Sequence, residues 1–257
     1  TYTRATTATV EDWEGTIHTV PAGELRWMGA RRTENLAWPS SSFTTNVFSN
    51  ALGVTDNVIA DSDGNLLASK FIPTSALTAH WLFDNSVAVI SGNTYRLSIE
   101  LKAGEISKVQ LLLYSISFGI TNYANVDLAN GTILFDSEGS ATIEALSDGW
   151  YRVSILGTAT SSGEHSIGVA PILVGNETRN PTISGFNGTD GFYAAKRQVE
   201  NVTNQSIQTA ADYIPTTTAP AHKWFDTARP TVTNMLTRSE DFSNAAWQVL
   251  NTTVTAN

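Results

Sequence analysis

The sharpest local pattern in the chain is Asp148-Gly149-Trp150-Tyr151-Arg152. The Asp-Gly pair makes a turn, and the following strand sends Tyr151, Val153 and Ile155 to one face and Trp150, Arg152 and Ser154 to the other. With the first set in a core, an indole beside a guanidinium is left on the second face. There the indole can stack on a sugar ring while the guanidinium bonds its hydroxyls. The competing assignment makes Trp150 a cap of the core and Arg152 the structural partner of an acid, and it is preferred because large aromatics are more often buried. Gln110, Leu112 and Tyr114 share one face of a second strand, and Arg96 projects from the strand before it. A sheet carrying Arg96, Gln110, Tyr114 and Arg152 on one concave face would be a polar, aromatic platform for a glycan.

Other side chains suggest different chemistry. Asp61-Ser62-Asp63-Gly64-Asn65 spaces oxygen ligands around a glycine, as part of a calcium loop does, and Asp61 and Asp63 are the candidate ligands. The twelfth position from Asp61 is Ile72, where an EF-hand needs a bidentate Glu, so that match fails and an ordinary polar turn is the simpler assignment. His18, His80, His165 and His222 are scattered, with no i, i+4 pair and no acid at motif spacing for zinc or a catalytic triad. Carboxylate pairs for glycoside hydrolysis could be drawn from Asp136 with Glu138, or Glu144 with Asp148. Both pairs sit beside turn glycines, where solvated acids are expected, so the chain reads as a non-enzyme.

These residues need strands to hold them. Thr94 to Leu101 alternates cleanly, with Tyr95, Leu97, Ile99 and Leu101 on one face. Lys108 to Ile116, Thr142 to Leu146, Tyr151 to Leu156 and Phe192 to Val199 also read as strands. Asn130-Gly131, between Asn125 to Leu128 and Thr132 to Phe135, is a hairpin signal. No long window carries a helical apolar stripe. Many short strands separated by close-set turns predict an all-β antiparallel sandwich or jelly roll. Its core is expected at 34–217, after an N-terminal collar at 1–33 with strand-like pieces Thr16 to Val20 and Leu25 to Met28. Beyond it, 218–257 reads as a linker and the start of a following module or docking extension, the linker character beginning in the run Thr216 to Ala221.

Composition narrows the function classes. Of 257 residues, 41% are hydrophobic and only 15% charged, with 24 acids against 15 bases and no cysteine, for a formal charge of -9. Wholesale disorder is excluded by the apolar content, and binding to a nucleic-acid backbone is disfavoured by the acidic balance. No apolar run is long enough for a membrane helix, so no membrane partner is expected. Disulfides, cysteine-ligated zinc and thiol nucleophiles are all excluded. Beginning at Thr1 without a signal peptide, the chain reads as an excerpt or a processed product.

Several segments, taken in order, resemble a known kind of module. They are Asn35-Leu36 with Phe43, Gly92-Asn93-Thr94-Tyr95-Arg96-Leu97-Ser98, Tyr123-Ala124-Asn125-Val126-Asp127-Leu128 before Asn130-Gly131-Thr132, Asp148-Gly149-Trp150-Tyr151-Arg152-Val153-Ser154, and Gly191-Phe192-Tyr193 leading to Tyr213-Ile214-Pro215. The opening motif is echoed about 200 residues later in Asn234-Met235-Leu236-Thr237-Arg238-Ser239-Glu240-Asp241-Phe242-Ser243-Asn244-Ala245-Ala246-Trp247. This order resembles the carbohydrate-binding-module-like jelly rolls of bacteriophage tail-fibre and other virion proteins. The resemblance implies a non-enzymatic virion structural protein, a tail or head fibre or a decoration module, serving assembly and surface display with weak capture of host glycans. Its implied partners are other virion proteins and symmetry copies of itself, a trimer being one form. Trp13, Trp27, Met28 and Trp247 are the expected interface side chains. No cofactor is implied beyond the structural calcium that such modules often hold. The alternative is a carbohydrate-binding module of a secreted bacterial polysaccharide hydrolase, and a third reading is a capsule depolymerase.

Overall fold

The computed structural model describes residues 4–225. The described residues divide into two compact units, 4–31 with 225 and 32–224. Its strands are β1 Ala8–Glu11, β2 Ile17–Val20, β3 Arg31–Asn35, β4 Val47–Asn50, β5 Leu52–Ile59, β6 Ala68–Pro73, β7 Thr78–Ala79, β8 Trp81–Asp84 and β9 Thr94–Lys102. They continue with β10 Lys108–Leu113, β11 Tyr123–Asp127, β12 Thr132–Asp136, β13 Thr142–Ala145, β14 Trp150–Thr158, β15 Ile167–Pro171, β16 Thr182–Ile183, β17 Phe192–Asn201 and β18 Ala221–Phe225.

In the first unit β1 pairs with β2. Leu25 to Met28 forms no strand, contrary to the sequence expectation, because the partner of β2 precedes it in the chain. The turn is built by Asp12, whose carboxylate accepts the amides of Glu14 and Thr16 and lies 2.7 Å from His18 Nε2. Trp27 and Met28 are exposed and Trp13 is partly buried, while Trp247 lies outside the described residues.

The second unit is the all-β antiparallel sandwich. One six-stranded sheet runs β12-β11-β10-β15-β8-β4 and the other β13-β14-β9-β17-β6-β5. Alternation puts Leu97, Ile99 and Leu101 of β9 and Val153 and Ile155 of β14 in one core with Val109, Leu111, Val126 and Val169 of the first sheet. Each such side chain contributes about 1.5–3 kcal/mol on full burial. β11 and β12 form the expected hairpin, but its loop is the four residues 128–131 rather than a two-residue turn at Asn130-Gly131, and of that pair only Gly131 takes a positive φ, 64°. β10 ends at Leu113, short of Ile116, because the chain turns into a four-residue helix at Ser115–Phe118. No helix among the described residues is long and apolar enough to cross a membrane.

Segment 201–216 lies as a strap on the solvent face of the second sheet. Arg96 donates to Gln208 O at 2.7 Å, Gln198 accepts the Ile214 amide at 2.8 Å, and Glu200 accepts the Ala211 amide at 3.1 Å. Asn35, fully buried, ties the strap to the core: its amide donates to Arg197 O and Ile214 O while its oxygen accepts the amides of Ala37 and Val199. The strap holds as far as Thr216, whose hydroxyl donates to Ala37 O and whose amide donates to Ser40 Oγ, so this residue belongs to the fold rather than to a linker.

Asp56 shows how a polar loop is locked. Burial opposes ionisation of its carboxyl, but hydrogen bonds from the hydroxyls of Ser69, Ser42 and Thr44 and the Phe43 amide outweigh this and hold it below the usual carboxylate range. A lowered folded value means that its stabilisation is complete above the unfolded value, about 3.9, and is lost as pH falls through the folded one. The stability gap between wild type and Asp56→Asn, read from urea midpoints, should therefore shrink below about pH 4. A gap that does not change with pH would contradict this.

Candidate functional site

The four residues expected on one platform are divided between the two sheets. Arg96 and Arg152 lie on β9 and β14 of the second sheet, Gln110 on β10 of the first, and Tyr114 just beyond it. Arg96 is 6% exposed because the strap covers it and Ser140 O takes its other nitrogen. Arg152 is partly buried and donates to Ser98 Oγ. Trp150 faces away from the main core, as alternation requires, yet is fully buried beneath loop 59–67, packing on Ala68, Ala195 and Ile59 and donating to Ala60 O. It presents no face to a sugar.

Asp61 and Asp63 do not form a calcium loop. Asp61 caps its own turn, accepting the amides of Asp63 and Asn65, and the Lys196 ammonium sits among the acids, 2.7 Å from Asp63 Oδ2, 3.4 Å from Glu100 Oε2 and 3.8 Å from Asp61 Oδ2. The positive charge that a cation would supply comes from the chain itself. The carboxylates weighed for hydrolysis also have structural surroundings: Asp136 accepts the amides of Glu138 and Ala141, and Glu144 lies opposite Arg152 on the edge strand.

Gln110 and Tyr114 do share a face, and it is the solvent side of the first sheet. Gln110 is its buried floor. Its amide donates to Asn125 Oδ1 and Thr178 O and its oxygen accepts the Asn180 amide, while Asn125 donates to Gly175 O and Glu177 O. These two side chains staple loop 175–180 onto the sheet. Arg179 donates to Leu113 O from the same loop, and burial pushes its guanidinium below its ordinary value, with Tyr123 opposing the shift.

Beside this staple, five rings close a circuit. Phe48 meets Trp81 at 4.9 Å, Trp81 meets Phe83 at 5.4 Å, Phe83 meets Tyr114 at 5.3 Å, Tyr114 meets His165 at 4.6 Å, and His165 stacks back on Phe48 at 5.5 Å. Strand register builds it, because Phe48 lies opposite Phe83, and Phe83 opposite Gly168. The Phe83 ring lies over Gly168, where any Cβ would come within 2.4 Å of it. Phe83 is the 3%-exposed floor, whereas Phe48 is 47% exposed and Trp81, Tyr114 and His165 are partly exposed. His165 reaches its place at a φ of 67°. Aromatic faces open to water suit the CH faces of sugars.

The chain is similar in structure to carbohydrate-binding modules. The C-terminal CBM6 of the marine laminarinase LamC from Zobellia galactanivorans matches with 13% identity and a TM-score of 0.32, over 66% of this chain and 100% of that one. The CBM22-1 and GH10 modules of xylanase 10B from Clostridium thermocellum match with 9% identity and a TM-score of 0.34, over 70% of this chain and 29% of that one. The module CBM6cm-2 of lichenase 5A from Cellvibrio mixtus matches with 9% identity and a TM-score of 0.31, over 65% and 95%. No protein-family model and no curated protein matches the sequence. The fold assignment rests on the strand pairing itself.

A cleft of about 250 Å³ lies where Glu105, Lys108, Phe186, Asn187 and Asp190 meet. Its one aromatic ring, Phe186, is 7% exposed and packs edge-on against His80, so it offers no stacking face. Of the platform, Tyr114 was legible from its strand. Phe48, Trp81 and His165 were missed, since Phe48 and Trp81, which opens β8, lie in no motif and His165 read only as one of four scattered histidines.

Proposed function

We propose that this chain is a non-enzymatic glycan-binding sandwich module that serves assembly and display on a bacteriophage particle, as part of a tail fibre, head fibre or decoration protein. The observation that supports glycan binding is the aromatic circuit, with Phe48 exposed and Trp81, Tyr114 and His165 partly exposed. Weak capture at one such face gains strength when copies are displayed together. The virion setting is supported by the module-opening pattern repeated at Asn234 to Trp247 and by the exposed Trp27 and Met28, which suit contacts with symmetry copies or other virion proteins.

The same platform also favours the alternative, a carbohydrate-binding module of a secreted hydrolase. Imaging particles labelled with antibody to this chain, together with the oligomeric mass of the natural protein, separates the two. A particle-bound oligomer supports the first reading; a monomer joined to a catalytic domain replaces it with the second. For the site, glycan-array binding followed by titration is the test. Phe48→Ala and Trp81→Ala should each weaken binding about two- to tenfold, since one stacked ring is worth about 0.5–1.5 kcal/mol. Equal affinity in both variants would remove the platform from the reading.

A further inference from the structure

Lys196 lies in the irregular stretch of β17 between Ala195 and Gln198, at a φ of 50°, and its side chain is 5% exposed. Its ammonium accounts for only part of the acid cluster around it, since three carboxylates, Asp61, Asp63 and Glu100, face a single positive charge. Asp61 is arranged unlike the other two. Its side chain is 0% exposed, Oδ1 accepts two backbone amides at 2.9 Å each, and Oδ2 accepts no hydrogen bond among the described residues and faces the lysine.

We propose that Lys196 and Asp61 condense into an intramolecular amide, with Glu100 relaying the protons. The ammonium gives a proton to the Glu100 carboxylate, and the freed amine attacks Asp61 Cγ. The Asp63 and Asn65 amides hold the negative charge that develops on Oδ1, as paired amides do in acyl transfer. Glu100 returns its proton to Oδ2, the nitrogen loses a second proton to the same oxygen, and the C–Oδ2 bond breaks to release water. One ammonium and one carboxylate thus become one amide and one water, Glu100 is regenerated, and no oxidant or co-reactant is needed.

Three observations favour this step. Burial pushes the Glu100 carboxyl up, opposed by Ser62 and Lys196 and assisted by the charge of Asp61, so it is a better proton acceptor than a surface carboxylate. Condensation removes two buried charges whose desolvation is costly. Asp63 is nearer the ammonium, but its side chain is 68% exposed, and water competes there. The amide would pin loop 60–65 to β17 covalently, closing the lid over Trp150 and limiting the unfolded chain as a long-range cross-link does.

The test is the mass of the whole purified protein under denaturing conditions, followed by proteolytic mapping. The expected result is a mass lower than that of the sequence by one water, with a branched peptide joining Lys196 to Asp61. Folded protein at full sequence mass overturns the proposal. So does a water loss confined to an unbranched peptide at Asp63-Gly64, which would be a cyclic imide. Glu100→Gln and Lys196→Arg, checked for folding by circular dichroism, should keep the full mass. A folded Glu100→Gln protein that still forms the branched peptide overturns the relay. If neither variant folds, the wild-type mass and map decide alone.

Discussion

Asp84→Ala is expected to cost about 3–5 kcal/mol, because it strands the Arg197 guanidinium inside the sandwich unit. Both side chains are 1% exposed, with Nε 2.9 Å from Oδ2. The contact is off line for a good hydrogen bond, so most of the attraction is Coulombic. Arg197 keeps a bond to Thr45 O and lies 5.3 Å over the Phe43 ring, neither of which replaces the lost charge. Burial already pushes the guanidinium below its ordinary value, with Asp84 and then Asp56 acting against that shift. The pair as such adds little net stability, because isolating two charges from water offsets their attraction. Joint replacement, Asp84→Leu with Arg197→Met, should therefore recover much of the loss. Recovery should be incomplete, since Asp84 Oδ1 also accepts the amide and hydroxyl of Ser86. Urea unfolding of the two singles and the double measures this. An Asp84→Ala midpoint close to wild type would show that the charge is not isolated.

Trp150→Ala should destabilise the sandwich by about 3–5 kcal/mol, the usual cost of emptying a large buried aromatic site. The indole fills the space between the second sheet and loop 59–67, and its N–H satisfies Ala60 O. Lys102 Nζ lies 6.0 Å from its ring centre, closing the remaining side. Glycan affinity of the folded variant should stay at the wild-type level, because the aromatic circuit lies on the other sheet. The pair of readouts separates structure from recognition. A stable Trp150→Ala protein with weakened binding would return the site to the second sheet.

Local pattern in the sequence determined the strands, and with them the face parity of nearly every residue that mattered. The period-two run at Thr94 to Leu101 became β9, the strands flanking Asn130-Gly131 became a hairpin, and Tyr151, Val153 and Ile155 went inward while Trp150 and Arg152 went outward. Gln110, Leu112 and Tyr114 shared a face as their spacing required. Parity, however, does not say which sheet a strand joins or what later covers its outer face. Arg96 and Trp150 point out of the main core and are nonetheless buried, one under the strap 201–216 and the other under loop 59–67. The exposed circuit joins Phe48, Trp81, Phe83, Tyr114 and His165 through the order β10-β15-β8-β4, a pairing between segments far apart in the chain. Alternation is a property of one strand, readable from neighbours two residues apart. Which outward face stays open depends on long-range strand order and on the loops laid over each sheet, and only the tertiary structure supplies both.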